Sequence, residues 1–286
     1  WGKSLPHIIF SRPIWSRMIP PNENNGIPQN ANCLLVELSD GRKGLVDTGC
    51  GDPAWYPEKQ RAIQGLEGDW PLPAALRQHD TTVEDIAFVV LSHMHWDHVG
   101  GVGRVDEDGE VRLTFPNAQH FVHAAEWRDA LSGDPLLGQS YPEESLAALR
   151  ATQSDTVLLV TDAAPDILPG IRMARSSGHT YGHCVVVLSD ENLVVDHPDA
   201  GQLGRVDTVV YAGDVCPTSA HLRLVFQTAY DTFPLDTRFW KHENLPRIAA
   251  ESYLLMFDHD PELFGATLVP DDRDGYMVDK RLRVVP

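Results

Sequence analysis

The stretch Leu91-Ser92-His93-Met94-His95-Trp96-Asp97-His98-Val99-Gly100-Gly101 places three imidazoles and one carboxylate within residues 93–98, directly after the apolar run Ile86-Ala87-Phe88-Val89-Val90-Leu91. A short, continuous, β-branched run reads as a strand buried on both faces, so the histidines sit in the loop leaving its end. Residues two apart in an extended chain point the same way, so His93 and His95 converge while Met94 turns away. Asp97 and His98 follow where the chain turns. A lone histidine is usually a hydrogen-bonded structural residue. This cluster is denser than that role needs, and it exceeds the demands of one tetrahedral ion. Mixed His and Asp donors suit zinc, iron, manganese or cobalt, and two adjacent metals are the economical reading.

The HMHWDH stretch resembles the HxHxDH signature of the metallo-β-lactamase superfamily, a hydrolase-rich family with an α/β, four-layer αββα sandwich of two mixed sheets flanked by helices. Leu45-Val46-Asp47-Thr48-Gly49 resembles the family's early strand ending in Asp-Thr-Gly. Gly178-His179-Thr180-Tyr181-Gly182-His183 resembles its GHTxGH segment. Tyr211-Ala212-Gly213-Asp214 and Phe257-Asp258-His259-Asp260 each put a ligand type directly after an apolar strand. The motifs run in the family's order along most of the chain.

Length and composition bound the reading. A chain of 286 residues with 42% hydrophobic content can bury a full core. The motif order favours one domain over residues 1–286. The net charge of −18 repels polyanions and argues against nucleic acid or anionic membranes as partners. Cys33, Cys50, Cys184 and Cys216 lack CxxC spacing and read as free thiols of a reducing cytosol. No apolar run reaches the roughly 20 residues that span a bilayer, and residues 1–15 carry no signal-like segment. A cytoplasmic enzyme acting on a small molecule is expected, with a homodimer left open.

Residues 7–14 read as a first strand, and residues 20–28 as a long polar loop with the apolar rim Trp15, Met18 and Ile19. Residues 33–38 and 44–47 read as strands joined by the turn Ser39-Asp40-Gly41-Arg42. They deliver Asp47 near the metal loop as an acceptor orienting a histidine. Residues 51–82 read as an irregular insertion carrying Trp55, Tyr56 and Trp70, and residues 106–110 as a solvated turn. Further strands are expected at 117–123, 156–160, 171–174, 184–188 and 209–212, and helices at 124–131 and 143–151. His120 and His123 are assigned structural roles. Alternating strands and helices exclude all-α and all-β classes.

By resemblance, the first metal takes His93, His95 and His179, the second takes Asp97, His98 and His259, and Asp214 bridges them. His183 is the rival of His179 and is read as its structural neighbour. The resemblance implies two divalent ions, zinc first and manganese, iron or cobalt as alternatives, with a hydroxide between them attacking a carbonyl or phosphoryl centre. Asp97 then carries the proton to the leaving group. Among branches, the layout most resembles N-acyl homoserine lactonases and methyl-parathion-hydrolase-like enzymes. One departure stands out: the lactonases carry a carbonyl-polarising Tyr three residues after the bridging Asp, where this chain has Pro217. Tyr181, Tyr230 and His221 are the candidates to replace it. Lactone or other carboxylic ester hydrolysis in a pocket with Trp15, Met18, Trp55 and Trp70 is the leading expectation, with phosphotriesters, phosphodiesters and glyoxalase II-type thioesters as rivals. A flavodiiron-type oxidoreductase is disfavoured, because that branch places Glu where this chain has His95.

Overall fold

A computed structural model describes residues 2–4, 12–23, 25–105, 108, 110–137, 140–272 and 275–285. Two compact units emerge, Cys33–Pro169 and a second made of Trp1–Asn32 with Gly170–Pro286.

In the first unit, the sheet runs Leu34–Glu37, Lys43–Val46, Ile86–Val90, Gln119–His123 and Val157–Val160, in that spatial order. The first two strands form the expected hairpin, with Leu34 opposite Val46, and Arg42 N donates to Asp40 Oδ1 (3.0 Å) in its turn. The remaining neighbours are parallel. Because Lys43–Val46 and Ile86–Val90 are parallel, Asp47 and the histidine loop leave the sheet at the same edge. Ligands of α/β sheets collect at such carboxyl ends. The strand Ile86–Val90 is almost wholly buried, as its unbroken apolar run requires, and Val89 joins Leu91, Met94, Val99 and Val102 in one core.

The segment 51–82 is more regular than its prolines suggest. It holds the short helices Glu58–Gln64 and Leu72–Gln78, the latter with Pro at its first turn, where a missing N–H costs nothing. A capping box at Thr82 and Asp85 then starts the turn that leads into the metal strand.

In the second unit, the sheet order is Ile171–Arg175, Cys184–Ser189, Thr208–Tyr211, Leu254–Met256, Leu263–Asp271 and Gly275–Arg283. Its one parallel pairing among the described strands joins Thr208–Tyr211 to Leu254–Met256, so Asp214 and His259 also leave from a common edge. The helix Pro234–Ala250 buries Thr237, Lys241, Leu245 and Ile248, a stripe at helical spacing that packs its apolar members against Val210, Leu255 and Phe257.

Two expectations near the start need correction. Of the strand expected over 7–14, residues 7–11 lie outside the described residues, and Arg12–Trp15 is a short helix. Trp15 is buried with Ile27 and Phe226, so it is core, while Met18 is exposed. Of the turn expected at 106–110, residues 106, 107 and 109 lie outside the described residues.

Gly44 lies against the face of the buried Phe88 ring, and a Cβ there would run into it. Gly44→Ala should cost about 1–3 kcal/mol, the usual range for overpacking. A thermal melt should fall by several degrees, and an unchanged midpoint would contradict this packing.

Candidate metal centre

In the first unit, Asp47 adopts a left-handed backbone (φ 57°), a conformation that Asp tolerates better than most residues. That turn aims its buried carboxylate back at the histidine loop. It accepts from Ser92 N (2.8 Å) and Ser92 Oγ (2.7 Å), and it faces His98 Nδ1 at 2.8 Å. Since Ser92 spends its single hydroxyl proton on Asp47, Ser92 Oγ can only accept from His93 Nδ1, 3.2 Å away. Both rings therefore carry their hydrogen on Nδ1 and present a lone pair at Nε2. His93 lies against His95 and His98, with ring centres 4.7 and 4.0 Å apart. Buried Glu126 accepts from Met94 N (2.9 Å) and from Tyr141 Oη (3.2 Å), holding the middle of the loop. Asp97 is partly exposed, its Oδ1 3.8 Å from His98 Nε2.

The second unit repeats this logic. His259 Nδ1 donates to the carbonyl of Asn30 (2.7 Å), and a carbonyl can only accept, so its tautomer is fixed. His179 Nδ1 lies 3.1 Å from Asp231 Oδ1. That buried carboxylate also accepts from the hydroxyls of Thr228 and Thr237. The two Nε2 atoms then converge on the oxygens of one carboxylate: His179 on Asp214 Oδ2 (3.2 Å) and His259 on Asp214 Oδ1 (3.1 Å). Two lone pairs facing an anion repel one another unless cations lie between them, which is the arrangement of a shared ligand. Asp258 adds a further carboxylate, and donor atoms of Asp214, Asp258 and His259 all lie within 4.8 Å of one another. Ser177 (φ 54°) and Gly178 (φ 92°) form the left-handed turn that delivers His179. A Cβ at Gly178 would meet Thr237 N at 2.9 Å, so only glycine fits there.

His183 is different in kind. Its Nε2 accepts from Asp214 N (3.1 Å) and its Nδ1 lies 2.7 Å from Ser176 Oγ, so the backbone uses its lone pair. It positions Asp214. His120 is fully buried, and burial pushes its pKa down to about 4. His123 caps the helix Ala124–Ala130 and lies 3.2 Å from Asp162. The thiol of Cys216 is fully buried and pushed up to about 12 by that burial, which makes it inert at neutral pH. Of the candidates to replace the absent tyrosine, Tyr181 is exposed and stacks under Arg175. Tyr230 packs edge-on against His179, ring centres 5.2 Å apart. His221 is buried, and that burial, followed by the charge of Lys241, pushes its pKa down to about 3, so its ring is neutral.

Sequence spacing offered no sign of Asp231, which lies 52 residues from the histidine it holds, or of the Asn30 carbonyl, 229 residues from His259. The profile of the metallo-beta-lactamase superfamily matches residues 26–195, more than half of the chain. The chain belongs to that superfamily. The matched span holds the 93–98 loop and His179 and stops before Asp214 and His259.

Relatives and solved structures agree with this membership. An N-acyl homoserine lactonase of Bacillus cereus is 24% identical over 169 residues, covering 56% of this chain and 58% of its own length. The match thus spans less than two thirds of that relative. The N-acyl homoserine lactonase AiiB of Agrobacterium fabrum is 26% identical, covering 86% of this chain and 84% of its own. A crystal structure described as a probable metal-dependent hydrolase from Staphylococcus aureus superposes with a TM-score of 0.81 at 26% identity, covering 97% of this chain and 93% of that one. The fold is therefore the metallo-β-lactamase fold, α/β with two mixed sheets and accompanying helices.

The acceptors behind the histidines generate a test. Asp231→Ala should weaken metal binding about 10- to 100-fold, as loss of such orienting partners does elsewhere. His183→Ala should lower the melting temperature while retaining metal. Competitive chelator titration and thermal melts separate the two, and metal loss in His183→Ala with none in Asp231→Ala would reverse the assignment.

Proposed function

We propose that this superfamily member is a hydrolase of lactones and related carboxylic esters that works with two divalent metals. The observation that supports it most is the shared tautomer: His93, His98, His179 and His259 each have an acceptor at Nδ1, which leaves Nε2 for a metal. Under this reading His93, His95 and His179 hold one ion, Asp97, His98 and His259 hold the other, and Asp214 is shared. Asp258 is an additional carboxylate beside the second set. The donor set fits zinc, with manganese, iron or cobalt as alternatives. Bound ions would polarise the acyl oxygen and lower the pKa of a water toward neutrality.

The chain's own residues do the rest. Asp47, Asp231 and the Asn30 carbonyl keep the imidazoles oriented. Asp97, partly exposed beside His98, hands a proton to the departing alkoxide. In a lactone that alkoxide stays tethered to the acyl group, so it remains close to the residue that protonates it. Tyr230, against His179 and partly open to solvent, offers an apolar face for the acyl portion. Lactonase relatives and a structure described as AidC, a dizinc quorum-quenching lactonase with a product bound, support lactones as the first substrate class to try. Phosphotriesters, phosphodiesters and glyoxalase II-like thioesters are the alternatives. The proposed setting is cytoplasmic; no helix among the described residues is long and apolar enough to cross a membrane.

Chelation should abolish turnover, and zinc should restore it. Across a panel of lactones, aryl esters, phosphotriesters, phosphodiesters and thioesters, kcat/KM should be highest for the first two classes and rise with acyl hydrophobicity. Asp97→Asn should lower kcat about 10²- to 10⁴-fold. Inert lactones and aryl esters beside a well-hydrolysed thioester or phosphodiester would overturn the substrate assignment.

A further inference from the structure

His221 is a buried imidazole that the preceding reading leaves without a task. Only 3% of it is exposed; its Nδ1 is 2.8 Å from Thr218 Oγ1, and its Nε2 is buried with no hydrogen-bond partner among the described residues. Leaving such a nitrogen unsatisfied is costly, so its persistence in a well-packed region asks for a partner that arrives with a ligand.

The surroundings hold the turn that carries His221. The turn Ser219–Leu222 that carries His221 is tied to the His259 segment: His259 N donates to Pro217 O (3.0 Å), and Ser219 gives its N–H (2.9 Å) and hydroxyl (2.7 Å) to Asp260 Oδ2. From behind, the buried Lys241 ammonium donates to the carbonyls of His221 (3.1 Å), Arg223 (3.0 Å) and Phe226. The turn is thus tied down from two sides, and the His221 ring, held by Thr218, lies close enough to Asp214 to feel its charge. Among the described residues, the donor atoms within 4.8 Å of one another include those of Asp214, Asp258 and His259 but none from His221, so it stands beside the ligands and is not one of them.

We propose that His221 is a catalytic hydrogen-bond donor: the Thr218 hydroxyl donates to Nδ1, and the Nε2 hydrogen binds the acyl oxygen of the substrate as negative charge develops there. It would fill the role left open at Pro217, the position where the lactonases that this chain resembles carry a carbonyl-polarising tyrosine. The assignment rests on the ester-hydrolase reading above. No proton changes hands at His221. Water adds to the carbonyl carbon and gives its proton to Asp97, the ring C–O bond breaks, and Asp97 passes that proton to the alkoxide, while Nε2–H only stabilises the oxyanion.

Two measurements on the zinc-loaded protein decide it. Long-range ¹H–¹⁵N spectra of the histidine rings should show His221 as the Nε2–H tautomer, and its Nε2–H resonance should move downfield on titration with 4-hydroxybutanoate, the product of opening γ-butyrolactone. His221→Ala should lower kcat on the best ester about 10²- to 10³-fold with KM within about threefold and zinc content unchanged. His221→Gln, whose amide N–H reaches the Nε2 position, should recover at least about tenfold of that loss, the share expected if a hydrogen bond is what was removed. An Nδ1–H tautomer unaffected by the product, or wild-type kcat in zinc-replete His221→Ala, would overturn the proposal. Should the wild-type enzyme turn over no ester at all, the substrate reading fails separately, and the ring spectra still decide whether His221 contacts a bound carboxylate.

Discussion

Everything in the site depends on an acceptor standing behind each buried histidine. An imidazole can offer a metal one lone pair only if its hydrogen is parked on the other nitrogen. In a dry interior that hydrogen must itself be bonded. Asp47 does this for His98 directly and for His93 through Ser92; Asp231 does it for His179; the Asn30 carbonyl does it for His259. Asp47 and Asp231 in turn accept from serine and threonine hydroxyls. Removing any of these partners would leave a buried polar group exposed to the full desolvation penalty, which is why the acceptors matter as much as the histidines.

The sheets explain how those groups meet. Asp47 and the 93–98 loop in one unit, and Asp214 and His259 in the other, leave the carboxyl ends of adjacent parallel strands, where consecutive loops are held about one strand spacing apart. Two of the left-handed non-glycine residues fall at the same edges: Asp47 at φ 57° and Ser177 at φ 54° lie immediately beside the functional side chains. Strain of this kind persists where the surroundings over-determine it, here through the bonds of Asp47 and the close packing of Gly178 on Thr237.

Much of this was legible from the residues themselves. The apolar run 86–91 announced its strand, and the spacing of His93, His95, Asp97 and His98 announced a donor cluster, because both signals are local. Asp47 was legible as an acceptor because its motif directly follows a strand. Asp231 and the Asn30 carbonyl were not, since a contact across 52 or 229 residues leaves no trace in spacing and a backbone carbonyl carries no identity at all. The helix Pro234–Ala250 was also missed: Pro246 sits inside it, and its buried stripe includes Thr237 and Lys241, which look like surface residues until their partners are seen. Trp15 erred the other way, an aromatic beside a polar loop that proves to be core with Ile27 and Phe226.

The central claim, the proposal made above, is that the protein works with two divalent metals. It is tested most directly by elemental analysis of protein purified without chelator and then equilibrated with zinc. The account predicts two ions per chain, falling to about one in His259→Ala, because only one donor set loses a ligand while the other keeps its neutral imidazoles. A stoichiometry that stays at one or below in the zinc-equilibrated wild-type protein would contradict it.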